Sequence, residues 1–161
     1  MTLDFALFEF VNGFAGQFSV FDLIGIFFSV YVIYIIALLL FIPRKRRVLI
    51  NGALAVVLVW IVKFFIGLFW ERQRPFVAHT VNMLVEHSSN AGFPSNHASV
   101  SFALAQTLFF ADKKLGIVAY VLAVLVSVSR VFVGVHYPSD VLAGALVGVL
   151  SAFIIRKVLQ F

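Results

Sequence analysis

The chain has 161 residues, 63% of them hydrophobic and only 12% charged, with a mean hydropathy of +1.09; no soluble fold of this length has an interior large enough for so much apolar surface, so the composition selects a membrane protein. The formal charge of +5 does not indicate a nucleic-acid partner, because the basic residues fall in short clusters between apolar runs rather than along a groove with interleaved aromatics. With no cysteine, disulfides, a thiolate nucleophile and cysteine-ligated metal are excluded, and the redox compartment stays open.

The opening MTLDFALFEF has neither a basic n-region nor a small-residue cleavage site, so the first segment is expected to be retained. Phe5, Phe8, Val11, Phe14 and Phe18 recur at spacings of three and four, with Asp4 and Glu9 among them. That pattern predicts an interfacial amphipathic helix, or alternatively a sixth, reduced span. A transmembrane helix needs roughly 20 apolar residues, and residues 19–41 and 48–70 meet that length, separated by the basic turn PRKRR. Three shorter apolar runs follow at 97–111, 115–129 and 141–155. At 1.5 Å per residue they are too short for a hydrocarbon core of about 30 Å, so their helices are expected to extend into the flanking polar motifs. The predicted fold is therefore an all-α integral membrane protein: one domain over 1–161, with five transmembrane helices and an N-terminal interfacial (or sixth) helix.

Basic loops stay on the cytoplasmic side. In the five-span arrangement Arg44, Lys45, Arg46, Arg47, Lys113, Lys114, Arg156 and Lys157 all fall on one side, 8 of the 12 Lys and Arg, which makes that side cytoplasmic. Arg72, Arg74 and Arg130 fall at the opposite face with all four histidines.

Three stretches meet at that outer face: ERQRPFVAH (71–79), FPSNH (93–97) and SRVFVGVHYPSD (129–140). Each alone has an ordinary explanation. RP after an apolar helix is a basic stop and a helix breaker, while PSN and PSD are helix starts, with Ser95 or Asn96 as a cap and Asp140 suited to a helix N-terminus. His79 and His87 have no patterned neighbours and read as loop histidines. Together the stretches supply the parts for phosphate transfer. Arg74 and Arg130 fork onto phosphate oxygens, and the helix beginning near Ser95 directs backbone N–H groups to the same place. His97 and His136 come from different spans, so one can attack phosphorus while the other protonates the leaving oxygen. Asp140 is placed to hold His136 in one tautomer. Arginine and aspartate each cost roughly 2.5–3.5 kcal/mol at mid-membrane, so packing alone does not account for them.

These stretches resemble the signature of the type 2 phosphatidic acid phosphatase (PAP2) family: a lysine-bearing segment ending in RP, then PSGH, then SR, five residues, H, three residues and D. Ser129, Arg130, His136 and Asp140 match the third motif at every fixed position. The resemblance covers roughly 63–155 and implies a phosphatase without metal or cofactor. In it His136 is the nucleophile that becomes phosphohistidine, Asp140 orients it, His97 is the general acid, and Arg74, Ser95 and Arg130 bind phosphate. Two positions depart from the pattern. Asn96 stands where glycine is usual; asparagine tolerates left-handed backbone better than most residues, so an N–H contact to phosphate is expected to survive. Gly67 stands where the lysine seven residues before Arg74 is expected, and Lys63 or Arg72 is the substitute. Arg72 is favoured because it already lies at the outer face.

Within the family, RPFVAH followed by FPS-x-H is most similar to the bacitracin-resistance class of undecaprenyl-diphosphate phosphatases. The resemblance thus implies a lipid phosphate or diphosphate substrate at a bacterial cytoplasmic membrane, with the site facing outward. Phosphatidylglycerol phosphate, phosphatidate or a lipid A phosphate would use the same residues. A small transporter or channel would make Lys63 an ion-pathway residue, but the sequence has no internal repeat of two halves. Metal-hydrolase and serine-hydrolase signatures are both missing. Gly144 and Gly148 form a GxxxG pair suited to close helix packing.

Overall fold

The computed structural model describes residues 2–89 and 91–159. Among them there is no strand, and the helices run α1 (Leu3–Asn12), α2 (Ser19–Val30), α3 (Val32–Leu39), α4 (Arg46–Phe69), α5 (Pro75–Ala78), α6 (Asn96–Ala111), α7 (Lys113–Phe132) and α8 (Pro138–Val158). Among the described residues α4, α7 and α8 are each long and apolar enough to cross a membrane, and α2 and α3 together reach that length and hydropathy as a pair bent by 44°. The span expected over 97–111 corresponds to α6, whose 16 residues reach only about 24 Å.

α1 has 10 residues and reaches only about 15 Å, too short to cross a hydrocarbon core of about 30 Å by itself. Phe5, Phe8 and Val11 seat it against Val131, Tyr137 and Val141, whereas Phe14 and Phe18 are exposed. Its polar residues also turn inward. The Asn12 side chain donates to the carbonyls of Asn82 and Phe132, both at 2.8 Å. Its carbonyl and its Oδ1 accept from Asn82, so the helix is fastened to the segment after α5 and to the end of α7.

The expected extension of the last spans into the polar motifs is seen: α7 continues through Ser129 and Arg130, and α8 begins at Pro138. Proline suits that first helical position because its missing N–H has no helical partner there anyway. α2 and α3 break at Tyr31, two residues after Ser29, whose carbonyl and hydroxyl take the Nη1 of Arg130 at 3.3 and 2.9 Å. A guanidinium on a helix carbonyl is the kind of insertion that bends a helix.

α6 is the central helix, in contact with α3, α4, α7 and α8. From Ala98 to Leu108 nearly every side chain is buried, which is the mark of a helix enclosed on all sides. The glycine pair allows the closest crossing. A Cβ on Gly144 would lie 2.7 Å from the Ser95 carbonyl oxygen, and one on Gly148 would lie 2.2 Å from that of Ser99. α8 therefore rests on α6 backbone to backbone, which brings the two helix starts together: Ser95 N–H donates to the Asp140 carbonyl at 3.0 Å.

Candidate active site

The polar residues converge where α6 and α8 begin and α7 ends, joined by the short loop 133–137. That loop turns through Gly134, at φ +88°, a conformation that favours glycine, with the Asn82 carbonyl oxygen 2.8 Å from where a Cβ would stand. The next residues deliver His136 into the interior, where it is 1% exposed.

His136 lies between an acid and a base. Its Nδ1 is 3.5 Å from Asp140 Oδ2, too long for a full hydrogen bond, and Nδ1 has no other protein partner; such catalytic contacts commonly tighten once substrate is bound. Nε2 is 3.2 Å from Arg74 Nη1. With the proton on Nδ1, facing the carboxylate, Nε2 presents its lone pair toward the arginine side. Burial, and then the guanidinium groups of Arg130 and Arg74, hold His136 well below the ordinary imidazole range, so at neutral pH the ring is uncharged and nucleophilic.

Asp140 is fixed at both oxygens. Oδ2 accepts the Tyr137 N–H at 2.9 Å, completing a capping box at the start of α8. Oδ1 accepts from Arg72 Nη1 at 2.9 Å. The structure thus places Arg72, one of the two substitutes for the missing lysine, on the carboxylate of Asp140. Its guanidinium is held by Asp140, by Ser139 Oγ at 2.5 Å and by Asp4 Oδ2 at 2.5 Å, and it stacks 4.2 Å from the centre of the Tyr137 ring. Arg72 thus grips the carboxylate oxygen away from His136 and positions the orienting residue. Asp4 completes the brace by accepting from Ser139 N–H and Oγ–H. Burial acts to raise its pKa, but the Ser139 hydroxyl and Arg72 outweigh that and keep it ionised. Lys63, half-buried on α4, is the remaining candidate, and its charge acts on both His87 and His136.

Two groups turn hydrogen-bonding atoms to this centre without using them on the protein. Arg130 is 2% exposed; Nη1 is anchored on Ser29, while Nε and Nη2 have no protein partner. Ser95 stands at the N-cap of α6, but its side chain makes no capping bond, and its buried Oγ has no partner. A buried donor left unpaired is costly, and these donors have the chemistry to receive an anion. Arg74 adds a bond from Nη1 to the Val135 carbonyl at 3.1 Å.

Asn96 is the first residue of α6, and among the described residues the positive-φ non-glycine is Arg44. The departure from glycine at position 96 therefore makes no demand on left-handed backbone. His97, in the first turn of α6, is near enough to Arg130, His87, Lys63 and Arg74 for their charges to act on it. Ser129 turns its hydroxyl to the Val126 carbonyl at 2.7 Å and serves α7 rather than the site.

Of the two loop histidines, His79 packs against Phe5 with ring centres 4.0 Å apart. His87 does not behave as a bystander: its ring centre lies 6.3 Å from that of His136. Sequence reasoning missed it, along with Asp4, Asn12 and Ser29. Among the described residues no three His, Cys, Asp or Glu side chains are grouped to hold a metal ion, and the positive charge at the site is that of the arginines and Lys63.

The sequence profile of the PAP2 superfamily matches residues 48–161. Undecaprenyl-diphosphatase BcrC of Bacillus subtilis is 30% identical over 158 residues, covering 94% of this chain and 82% of that protein. Bacitracin transport permease protein BcrC of Bacillus licheniformis is 34% identical over 160 residues, covering 95% and 79%. Among solved structures, Aquifex aeolicus LpxE superimposes with a TM-score of 0.82 at 26% identity, covering 98% of this chain and 96% of the other.

Proposed function

Because this chain belongs to the PAP2 superfamily, we propose that it is a single-domain membrane phosphatase that hydrolyses undecaprenyl diphosphate to undecaprenyl phosphate and inorganic phosphate. His136 Nε2 attacks the terminal phosphorus as the bond from phosphorus to the bridging oxygen breaks. His97 gives its proton to the departing lipid phosphate. Water, deprotonated by His97, then attacks the phosphohistidine, releases inorganic phosphate and restores His136. Arg130, Arg74 and Ser95 hold the equatorial oxygens and stabilise the charge on the transferring group, with Lys63 adding a further positive charge.

The observation that carries this reading is the pairing of a buried, neutral His136 between Asp140 and Arg74 with the unpartnered Arg130 Nε, Arg130 Nη2 and Ser95 Oγ. A transport role would need no histidine aligned with an aspartate beside an anion clamp. The names of relatives support the diphosphate substrate, whereas a lipid monophosphate would engage the same clamp. The deciding experiment measures phosphate release in detergent from undecaprenyl diphosphate, phosphatidylglycerol phosphate and phosphatidate side by side, with and without excess chelator. Highest kcat/KM on the diphosphate, unaffected by chelator and inhibited by vanadate, is expected. A preference for a monophosphate would change the substrate, and loss of activity on chelation, restored by magnesium or zinc, would overturn the mechanism.

The proposed setting is the bacterial cytoplasmic membrane with the site facing outward, supported by the basic residues at the other ends of α4, α7 and α8. A cysteine in place of the exposed Ser89 should react with an impermeant thiol reagent in intact cells, and one in place of the exposed Lys114 should not. The native chain has no cysteine to give background. The opposite labelling pattern would reverse the orientation.

A further inference from the structure

We infer that His87 forms a second phosphate subsite, which receives the leaving phosphate of a diphosphate while His136 acts on the terminal one; the inference rests on the diphosphate reading above. The segment that carries His87 is fastened on both sides of it. Asn82 is bonded to Asn12, Leu84 N–H donates to the Val133 carbonyl at 3.2 Å, and Gly92 N–H donates to the Arg72 carbonyl at 3.0 Å. Between these anchors the His87 side chain comes in over the site, with its ring at 74° to that of His136. Its Nδ1 lies 3.3 Å from the Ser88 carbonyl oxygen, an acceptor only, so Nδ1 carries the proton there and Nε2 is the atom left for a ligand.

The location separates the two phosphates of a substrate. His87 is beside the nucleophile, with ring centres 6.3 Å apart, and it is near enough to His97 for a charge on one ring to act on the other. In an in-line displacement the leaving oxygen lies across phosphorus from the attacking nitrogen, and the acid must reach that oxygen. A group next to both His136 and His97 therefore flanks the leaving side. With a lipid monophosphate an alkyl carbon occupies that side; with a diphosphate an anionic phosphate does. An anion next to a neutral imidazole favours its protonated form, so the arriving phosphate draws a proton onto Nε2 and receives a charge-assisted hydrogen bond. The bond strengthens as the bridging P–O bond breaks and charge gathers on the leaving phosphate, which makes it a contact of the transition state.

A residue that merely pins the loop would, when lost, slow every substrate by the same factor. The test therefore uses two substrates with one tail, farnesyl diphosphate and farnesyl monophosphate, on the full chain in detergent. For His87→Ala, the ratio of kcat/KM on the diphosphate to that on the monophosphate is expected to fall about 10–100-fold, the span of a hydrogen bond to a charged group. His87→Gln, which keeps an N–H donor, is expected to recover part of that ratio. An unchanged ratio in both variants, whether the two rates fall together or hold, overturns the subsite while leaving the diphosphate reading intact. A wild-type protein that does not turn over the diphosphate overturns both.

Discussion

Replacing His136 by alanine is expected to reduce phosphate release to background on diphosphate and monophosphate alike, by at least about 10⁴-fold, the scale of losing a nucleophile that works as part of a unit. In the proposed mechanism the covalent intermediate forms on His136 alone, with His97 as the partner acid and His87 on the leaving side. The fold should survive. In the variant both Asp140 oxygens keep their other partners, Oδ2 the Tyr137 N–H and Oδ1 the Arg72 guanidinium, so no buried charge is stranded, and the remaining cost is a cavity of one side chain. Retention of the detergent-extracted monomer or oligomer profile together with loss of turnover separates chemistry from folding. A second measurement traps the intermediate: wild-type protein quenched in alkali after mixing with a substrate labelled in the terminal phosphate should carry acid-labile label, and His136→Ala should carry none. Turnover by His136→Ala while His97→Ala is dead would mean that the roles of the two histidines must be exchanged.

The part of this machinery that could be read along the chain is the part set by local pattern. The apolar run at 48–70 became α4 (Arg46–Phe69) with its ends shifted by one or two residues, because a lipid-facing helix is specified by its own composition. The stretch from Ser129 to Asp140 is local in the same sense: a helix end, a tight loop and a helix start bring Arg130, His136 and Asp140 to one end of the bundle. What stayed hidden depends on partners far along the chain. The bend at Tyr31 coincides with a guanidinium 101 positions away reaching Ser29. Asp4 reads as one polar residue on an amphipathic helix, yet its carboxylate accepts from Ser139, 135 positions on.

Arg72 shows the same limit in sharper form. Its position at the outer face makes it a candidate phosphate ligand, whereas in the structure its Nη1 and Nη2 are engaged by two carboxylates and a hydroxyl. A charged side chain in a membrane protein settles where its partners are, and α1, which brings Asp4, is needed to know where that is. His87 was passed over for the opposite reason. No neighbour in sequence marks it, and only the anchoring of Asn82, Leu84 and Gly92 turns its ring toward His136.

For His97 the expected result is a loss that depends on the substrate. A general acid matters in proportion to how poor the leaving group is. An alcohol leaving as alkoxide has a pKa roughly like that of water, about 15.7, and needs a proton as the P–O bond breaks. A phosphate leaving from a diphosphate has a pKa of about 6 and depends far less on receiving one. His97→Ala should therefore slow hydrolysis of a lipid monophosphate by up to the ~10²–10⁴-fold typical of general acid catalysis, and slow undecaprenyl diphosphate much less. The two histidines on the leaving side then pull in opposite directions: loss of His97 raises the diphosphate-to-monophosphate ratio, and loss of His87 lowers it. The measurement is kcat/KM on both substrates for each variant. Equal losses on the two substrates in His97→Ala would make His97 a phosphate ligand, whose contribution does not depend on what departs, and the proton delivered to the leaving oxygen would have to come from another group.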